Sequence, residues 1–245
     1  MRVSLLVLAL LTLGAACRTD GRLPTRPPAQ DSAPTAPDRV LVRADSLVRD
    51  EPALRYTVRI GYPQLDGAPS AINAAIREAV VALADRYRPT SPPRTTDPFV
   101  DRTELTGAFE TAYSDQTRYS GLVEVYAYTG GAHGVTVLLP VNADLRAARL
   151  ITPEDLVAPG ADARALLAPY AERVLRRDQR AAGTLFPDLS PDAFRQFTAF
   201  TLGRDSLALY YAPYTLGPYA SGSFRAALAY DDLEGVLRPG VAPGR

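Results

Sequence analysis

Three shortages set the first limits on this chain of 245 residues: one cysteine, one histidine and no lysine. A lone cysteine leaves no partner for an internal disulfide. A lone histidine excludes the multi-histidine centres of zinc hydrolases, and no zinc, calcium or phosphate-loop spacing occurs, so no metal or cofactor is expected. An excess of charge is missing too. Lys+Arg and Asp+Glu both number 27, and no basic block offers the electrostatic footprint of a nucleic-acid binder. Because all the cations are arginines, their planar forks suit bidentate pairing with surface carboxylates, and the bias itself reads as genomic. The chain has no Gly-x-Ser-x-Gly elbow of a serine hydrolase and no internal repeat.

Hydrophobic residues make up 47% of the chain and charged residues 22%, enough apolar surface for one large domain or two small ones. The start is the most specific stretch. Arg2 is followed by an apolar run, Leu5 to Leu13, and by the small residues Gly14, Ala15 and Ala16, then Cys17. The run has the length of a signal-peptide core and is too short for a permanent membrane helix. Small residues directly before a sole cysteine resemble a bacterial lipoprotein signal, in which that cysteine is acylated and becomes the new N-terminus. Gly14 departs from the pattern, which has a branched aliphatic there. The alternative is ordinary cleavage after Ala16. Two or three acyl chains, at ~0.8 kcal/mol per buried CH₂, hold a protein on a membrane indefinitely. Residues 18–39 are rich in Pro, Ala, Thr, Ser and Asp without apolar periodicity, the composition of a flexible tether. The expected location is therefore the cell envelope, lipid-anchored, on the periplasmic or outer surface.

The body opens with strict alternation of Leu54, Tyr56, Val58, Ile60 and Tyr62 with polar residues or glycine, which predicts a strand with one buried face. Residues 40–47 supply a hairpin partner. Ile72, Ile76, Val80, Leu83 and Tyr87 recur at helical spacing and predict an amphipathic helix over 70–88. Segments 105–113, 121–128 and 135–141 read as three consecutive antiparallel strands. Thr152-Pro153 opens a short helical turn, and 163–180 reads as a second helix with Pro169 as a kink or a start. A short helical segment after Ser190, strands over 197–202, 207–211 and 224–230, and a final helix from Asp231 to about 237 complete the pattern. Neighbouring strands with helices gathered between groups of them indicate an α+β fold, with antiparallel sheets and helices packed on one face.

Two segments carry candidate chemistry. The first is Thr129-Gly130-Gly131-Ala132-His133-Gly134, where Gly130, Gly131 and Gly134 provide positive φ angles or close backbone approach for a tight turn. His133 is either a turn residue bonded to neighbouring backbone or a general base. The carboxylate pairs Asp231/Asp232 and Asp97/Asp101 fit a glycosidase in residue type, but the first reads as a helix cap and the second as loop charge. The second segment places Tyr210, Tyr211, Tyr214 and Tyr219 beside Pro213, Gly217 and Pro218. Tyrosine combines an apolar face with a hydroxyl at low entropic cost, suited to a sugar ring or a protein patch, although such rings also plug sheet ends. Tyr126 and Tyr128 share one face of their strand and join the ligand-binding candidates Tyr211, Tyr214, Tyr219 and His133.

The run Tyr126-Ala127-Tyr128-Thr129-Gly130-Gly131-Ala132-His133-Gly134 resembles the Gly-Gly-Ala-His segment of a bacterial extracytoplasmic family. Its members include the outer part of the RsiV anti-sigma factor and the non-catalytic domain of the PdaC peptidoglycan deacetylase. Ala212-Pro213-Tyr214, Gly217-Pro218-Tyr219-Ala220 and Tyr230-Asp231-Asp232-Leu233 resemble its C-terminal part in order and spacing, so the likeness spans about residues 50–238. It implies two closely packed subdomains, here 40–158 and 159–239 with a tail at 240–245, and a module that recognises lysozyme in one relative. The cytoplasmic sigma-binding part and the deacetylase part of those relatives have no counterpart here. Two functions are then in view. One is a non-catalytic envelope lipoprotein that binds peptidoglycan glycan or a lysozyme-like protein, or merely pairs with another envelope protein. The other is an envelope hydrolase using His133 with a carboxylate.

Overall fold

The computed structural model describes residues 40–97 and 100–243; Cys17, the signal segment and the tether lie outside them. Two sheets organise the fold. The first has the spatial order β1 (Leu41–Glu51), β2 (Tyr56–Asp66), β3 (Thr103–Ser114), β4 (Arg118–Tyr128), β5 (Val135–Asp144) and β6 (Arg149–Leu150). The hairpin of β1 and β2 turns through a 3₁₀ segment, Pro52–Leu54, with Arg55 at φ 47°. Leu54 therefore belongs to the turn and not to the strand. Tyr56, Val58, Ile60 and Tyr62 of β2 are buried in alternation, as the period of two requires, and Pro63 and Leu65 are buried beyond them.

Helix α1 (Ser70–Tyr87) connects β2 to β3 and buries Ile72, Ile76, Val80, Leu83 and Ala84. By returning the chain to the starting end of the sheet, it makes β3 parallel to β2, with Tyr56 opposite Thr103. The sheet is thus mixed, which corrects the expectation of purely antiparallel pairing. β3, β4 and β5 are consecutive and antiparallel.

The second sheet is antiparallel, in the order β7 (Ala199–Leu202), β8 (Ser206–Tyr211), β9 (Phe224–Ala229). Helix α2 (Ala163–Arg177) packs on it through Ala163, Leu167, Ala168, Ala171 and Leu175. Asp162 caps α2 by accepting from the Ala165 N–H. Pro169 sits inside α2 and neither starts it nor ends it. The expected helix to residue 180 instead breaks at Asp178, whose carboxylate accepts from the Arg180 and Ala181 N–H groups and so caps a separate four-residue helix, α3 (Gln179–Ala182). The expected final helix is only a 3₁₀ turn, Tyr230–Leu233. Gly235, at φ 76°, takes the left-handed conformation that ends helical backbone.

Residues 40–243 belong to one unit with two hydrophobic interiors. One gathers side chains of the six-stranded sheet and α1, the other those of α2 and the three-stranded sheet. A buried polar bridge joins them at the edge of β7. Ser120 on β4 donates to Asn142 Oδ1 on β5 at 2.6 Å, Asn142 Nδ2 donates to the Phe200 carbonyl at 2.9 Å, and the Leu202 N–H donates to Ser120 Oγ at 2.7 Å. Phe200 and Leu202 expose these groups on the edge of β7 away from β8. Two side chains thereby do the work of a neighbouring strand, satisfying edge groups that would otherwise be buried without partners.

Candidate functional site

Strand β4 delivers the chain to a six-residue connection, Thr129–Gly134, before β5 re-pairs Val135 with Ala127. Gly130 and Gly131 turn it at φ 93° and 90°, a region that side chains disfavour. Gly134 is needed for a different reason. A Cβ there would lie 2.5 Å from the Ala127 carbonyl oxygen and 2.7 Å from Tyr126 Cζ.

That close approach makes Gly134 the hub of the site. Its N–H donates to the Tyr126 hydroxyl at 2.7 Å. Its carbonyl faces His133 Nδ1 at 2.9 Å and accepts from the Tyr219 hydroxyl at 3.0 Å. Since a carbonyl can only accept, the geometry assigns a proton to Nδ1 and turns Nε2 away from this contact. The His133 ring stacks on Tyr219 with centroids 4.0 Å apart and planes 23° apart. Tyr214 continues the surface, 5.5 Å from Tyr219 and tilted by 36°. Two segments separated by 85 residues thus meet in one aromatic surface.

The outer rings are open to solvent: Tyr214 is 56% exposed and Tyr126 42%. Tyr214 holds φ 69°, a strained conformation for a bulky residue that costs on the order of 1 kcal/mol and commonly marks functional positions. Tyr128 donates to the Gly131 carbonyl at 2.9 Å, and the Arg102 guanidinium lies 5.1 Å over its ring. Arg102 was not selected from the sequence, and no local pattern there distinguishes it from other arginines.

Tyr211 does not belong to this surface. It is fully buried and donates to the Phe194 carbonyl at 2.9 Å, with its ring edge-on to Phe194. Burial raises its phenol above the ordinary range. Its place follows from strand parity, since Leu207, Leu209 and Tyr211 all point into the core while Ser206, Ala208 and Tyr210 face the other way.

The carboxylates considered from the sequence stand elsewhere. Asp231 and Asp232 occupy the 3₁₀ turn after β9, and Asp101 accepts from the Arg94 N–H at 3.1 Å in the loop before β3. Among the described residues, no group of three His, Cys, Asp or Glu side chains is placed to hold a metal ion, and no helix is long and apolar enough to cross a membrane.

The three-stranded sheet, α2 and the loop carrying Tyr214 and Tyr219 fall within a stretch that has recognised relatives. Residues 154–231 match DUF3298, a protein family of unknown function. The DUF3298 stretch thus supplies Tyr214 and Tyr219, whereas His133 and the glycine connection precede it. The likeness in fold extends further. A crystal structure of a DUF3298 family protein from Pseudomonas aeruginosa PAO1 matches 86% of this chain and 99% of its own, at 19% identity and a TM-score of 0.57. A DUF3298 family member from Bacteroides fragilis NCTC 9343 matches over 82% and 95%, at 16% identity and a TM-score of 0.54. At these identities the shared property is the fold. No curated protein matches significantly.

Proposed function

We propose that this protein is a non-catalytic binding module of the bacterial envelope, lipid-anchored through Cys17, whose ligand is peptidoglycan glycan or a lysozyme-like protein. The reading rests on the stack of His133 on Tyr219, extended by Tyr214, with the exposed Tyr126 bonded to the same Gly134. Flat, partly exposed rings with hydroxyls at their rims offer apolar faces to the C–H face of a sugar and polar edges to its hydroxyls. The same rings suit a protein patch. They are also held in advance: Tyr126 and Tyr219 are both fixed to Gly134, which limits the ordering cost of binding.

The environment of His133 favours recognition over catalysis. Its Nδ1 engages a backbone carbonyl and not the carboxylate that orients a catalytic base, and one ring face is covered by Tyr219. The resemblance to the RsiV and PdaC modules supports the same reading, because the Gly-Gly-Ala-His and Gly-Pro-Tyr segments that carry it converge here.

Co-sedimentation with purified cell wall, and pull-down with lysozyme, test the proposal. Retention that Tyr214→Ala and Tyr219→Ala reduce supports it. Unchanged retention in both variants removes this surface from the account, and cell-wall turnover that His133→Ala abolishes replaces it with hydrolysis.

A further inference from the structure

A second site lies on the opposite side of strand β8 from the core. Between β3 and the three-stranded sheet runs a groove of about 400 Å³, lined among others by Glu110, Thr201, Ser206, Tyr210 and Arg225. Tyr210 and Arg225 are direct partners across β8 and β9. Arg225 Nε donates to the Tyr210 hydroxyl at 3.4 Å, its guanidinium lies 5.9 Å over the ring, and the same hydroxyl is 3.1 Å from Thr201 Oγ1. Thr201 is buried, so this chain of contacts anchors the arginine from below.

The rest of the groove is chemically unspent. Several arginine forks of this protein face carboxylates: Arg43 holds Asp66, Arg88 holds Glu51 and Arg149 holds Asp155. Arg225 has no such partner among the described residues, and Tyr210 engages only its Nε side. The carboxylate of Glu110, on the facing strand of the first sheet, likewise has no hydrogen bond or ion pair among the described residues, and the Ser206 hydroxyl has none either. An arginine held by one edge presents its remaining N–H groups as a carboxylate receptor. A carboxylate on the other wall of the same groove is a receptor for an ammonium group.

We propose that this groove binds the free ends of a short zwitterionic peptide, with the peptide carboxylate on Arg225 and its ammonium on Glu110. The volume suits two to three residues with small side chains, since drug-sized ligands occupy sites from about 300 Å³ upward. Ser206 and Tyr210 supply hydroxyls to the peptide backbone between the two ends. The site is separate from the His133 and Tyr219 surface and does not depend on it.

Titration of the protein with trialanine, N-acetyltrialanine and trialanine amide, followed by amide NMR, tests this directly. Trialanine should give saturable shifts centred on residues 110, 201, 206, 210 and 225, and blocking either end should weaken binding at least about fivefold. Arg225→Ala should abolish discrimination between the acid and the amide. Glu110→Gln should abolish discrimination between the free and acetylated amine. Both variants lie on the surface, and unchanged thermal midpoints confirm their folding. His133→Ala should bind trialanine as the parent does. Absence of saturable shifts in the groove up to about 20 mM peptide, or equal affinity for all three peptides, overturns the proposal.

Discussion

The imidazole of His133 lies flat on the phenol ring of Tyr219, with centroids 4.0 Å apart, and both side chains bond to the carbonyl of Gly134. One backbone group therefore fixes two rings that arrive from different sheets. The pairing couples the connection after β4 to the loop before β9.

Removing the phenol should separate a structural part from a binding part. Tyr219→Ala loses the stack and one hydrogen bond and should cost about 1–3 kcal/mol of stability. Tyr219→Phe keeps the stack and should cost about 1 kcal/mol or less. Urea denaturation of both variants measures the difference. Equal losses would mean that the hydroxyl, and not the ring contact, holds the loop.

Gly134 allows no side chain. The Cβ of Gly134→Ala would press on the Ala127 carbonyl, a backbone atom that cannot swing aside. A loss of at least about 2 kcal/mol is expected, with amide shifts from 126 to 134 and at 219. Parental stability in this variant would show that the close approach is relaxed in solution.

The bridge at the edge of β7 should be the most sensitive polar feature of the interior. Asn142→Leu leaves the Phe200 carbonyl without a donor and the Ser120 hydroxyl without an acceptor in a buried setting and should cost about 2–4 kcal/mol. Ser120→Ala should cost a comparable amount, because it leaves the Leu202 N–H and Asn142 Oδ1 without their partners. A double-mutant cycle should give coupling between them of about 1 kcal/mol, and additive losses would argue against a shared network.

Acid should weaken the surface pair of Arg149 and Asp155. Arg149 grips Asp155 through two hydrogen bonds, with further bonds from the Thr152 N–H and hydroxyl, and holds its carboxyl down from 3.8 to about 2. A depressed folded value means that the stabilisation is complete above the unfolded value and drains away as pH falls through the folded one. Solvent screening at the half-exposed Arg149 limits it to about 1–2 kcal/mol. Asp155→Asn should thus be destabilised by that amount at neutral pH, and the gap to the parent should narrow between about pH 5 and 2. A gap that is independent of pH would assign the loss to the turn alone.

The sequence carried the local order of the fold well. The alternation of Tyr56, Val58, Ile60 and Tyr62 and the helical spacing of Ile72, Ile76, Val80 and Leu83 state directly which face is buried, and these residues are buried. Both site segments were visible as well, from the glycines around His133 and the aromatic density around Tyr214. Their contact was not, since nothing local encodes a stack between residues this far apart. Ser120 and Asn142 look like ordinary polar strand residues until a free strand edge is set against them. Tyr211 was misassigned although strand parity with Leu207 and Leu209 held the answer, and the truncated last helix turned on the backbone of Gly235.

The most direct test of the binding account is an amide NMR titration with soluble peptidoglycan glycan fragments, and separately with lysozyme. The account predicts that one of the two produces saturable shifts clustered at 126–134 and 214–219, lost in the Tyr126→Ala/Tyr214→Ala double variant. Binding that maps elsewhere, or that survives in that variant, would contradict it.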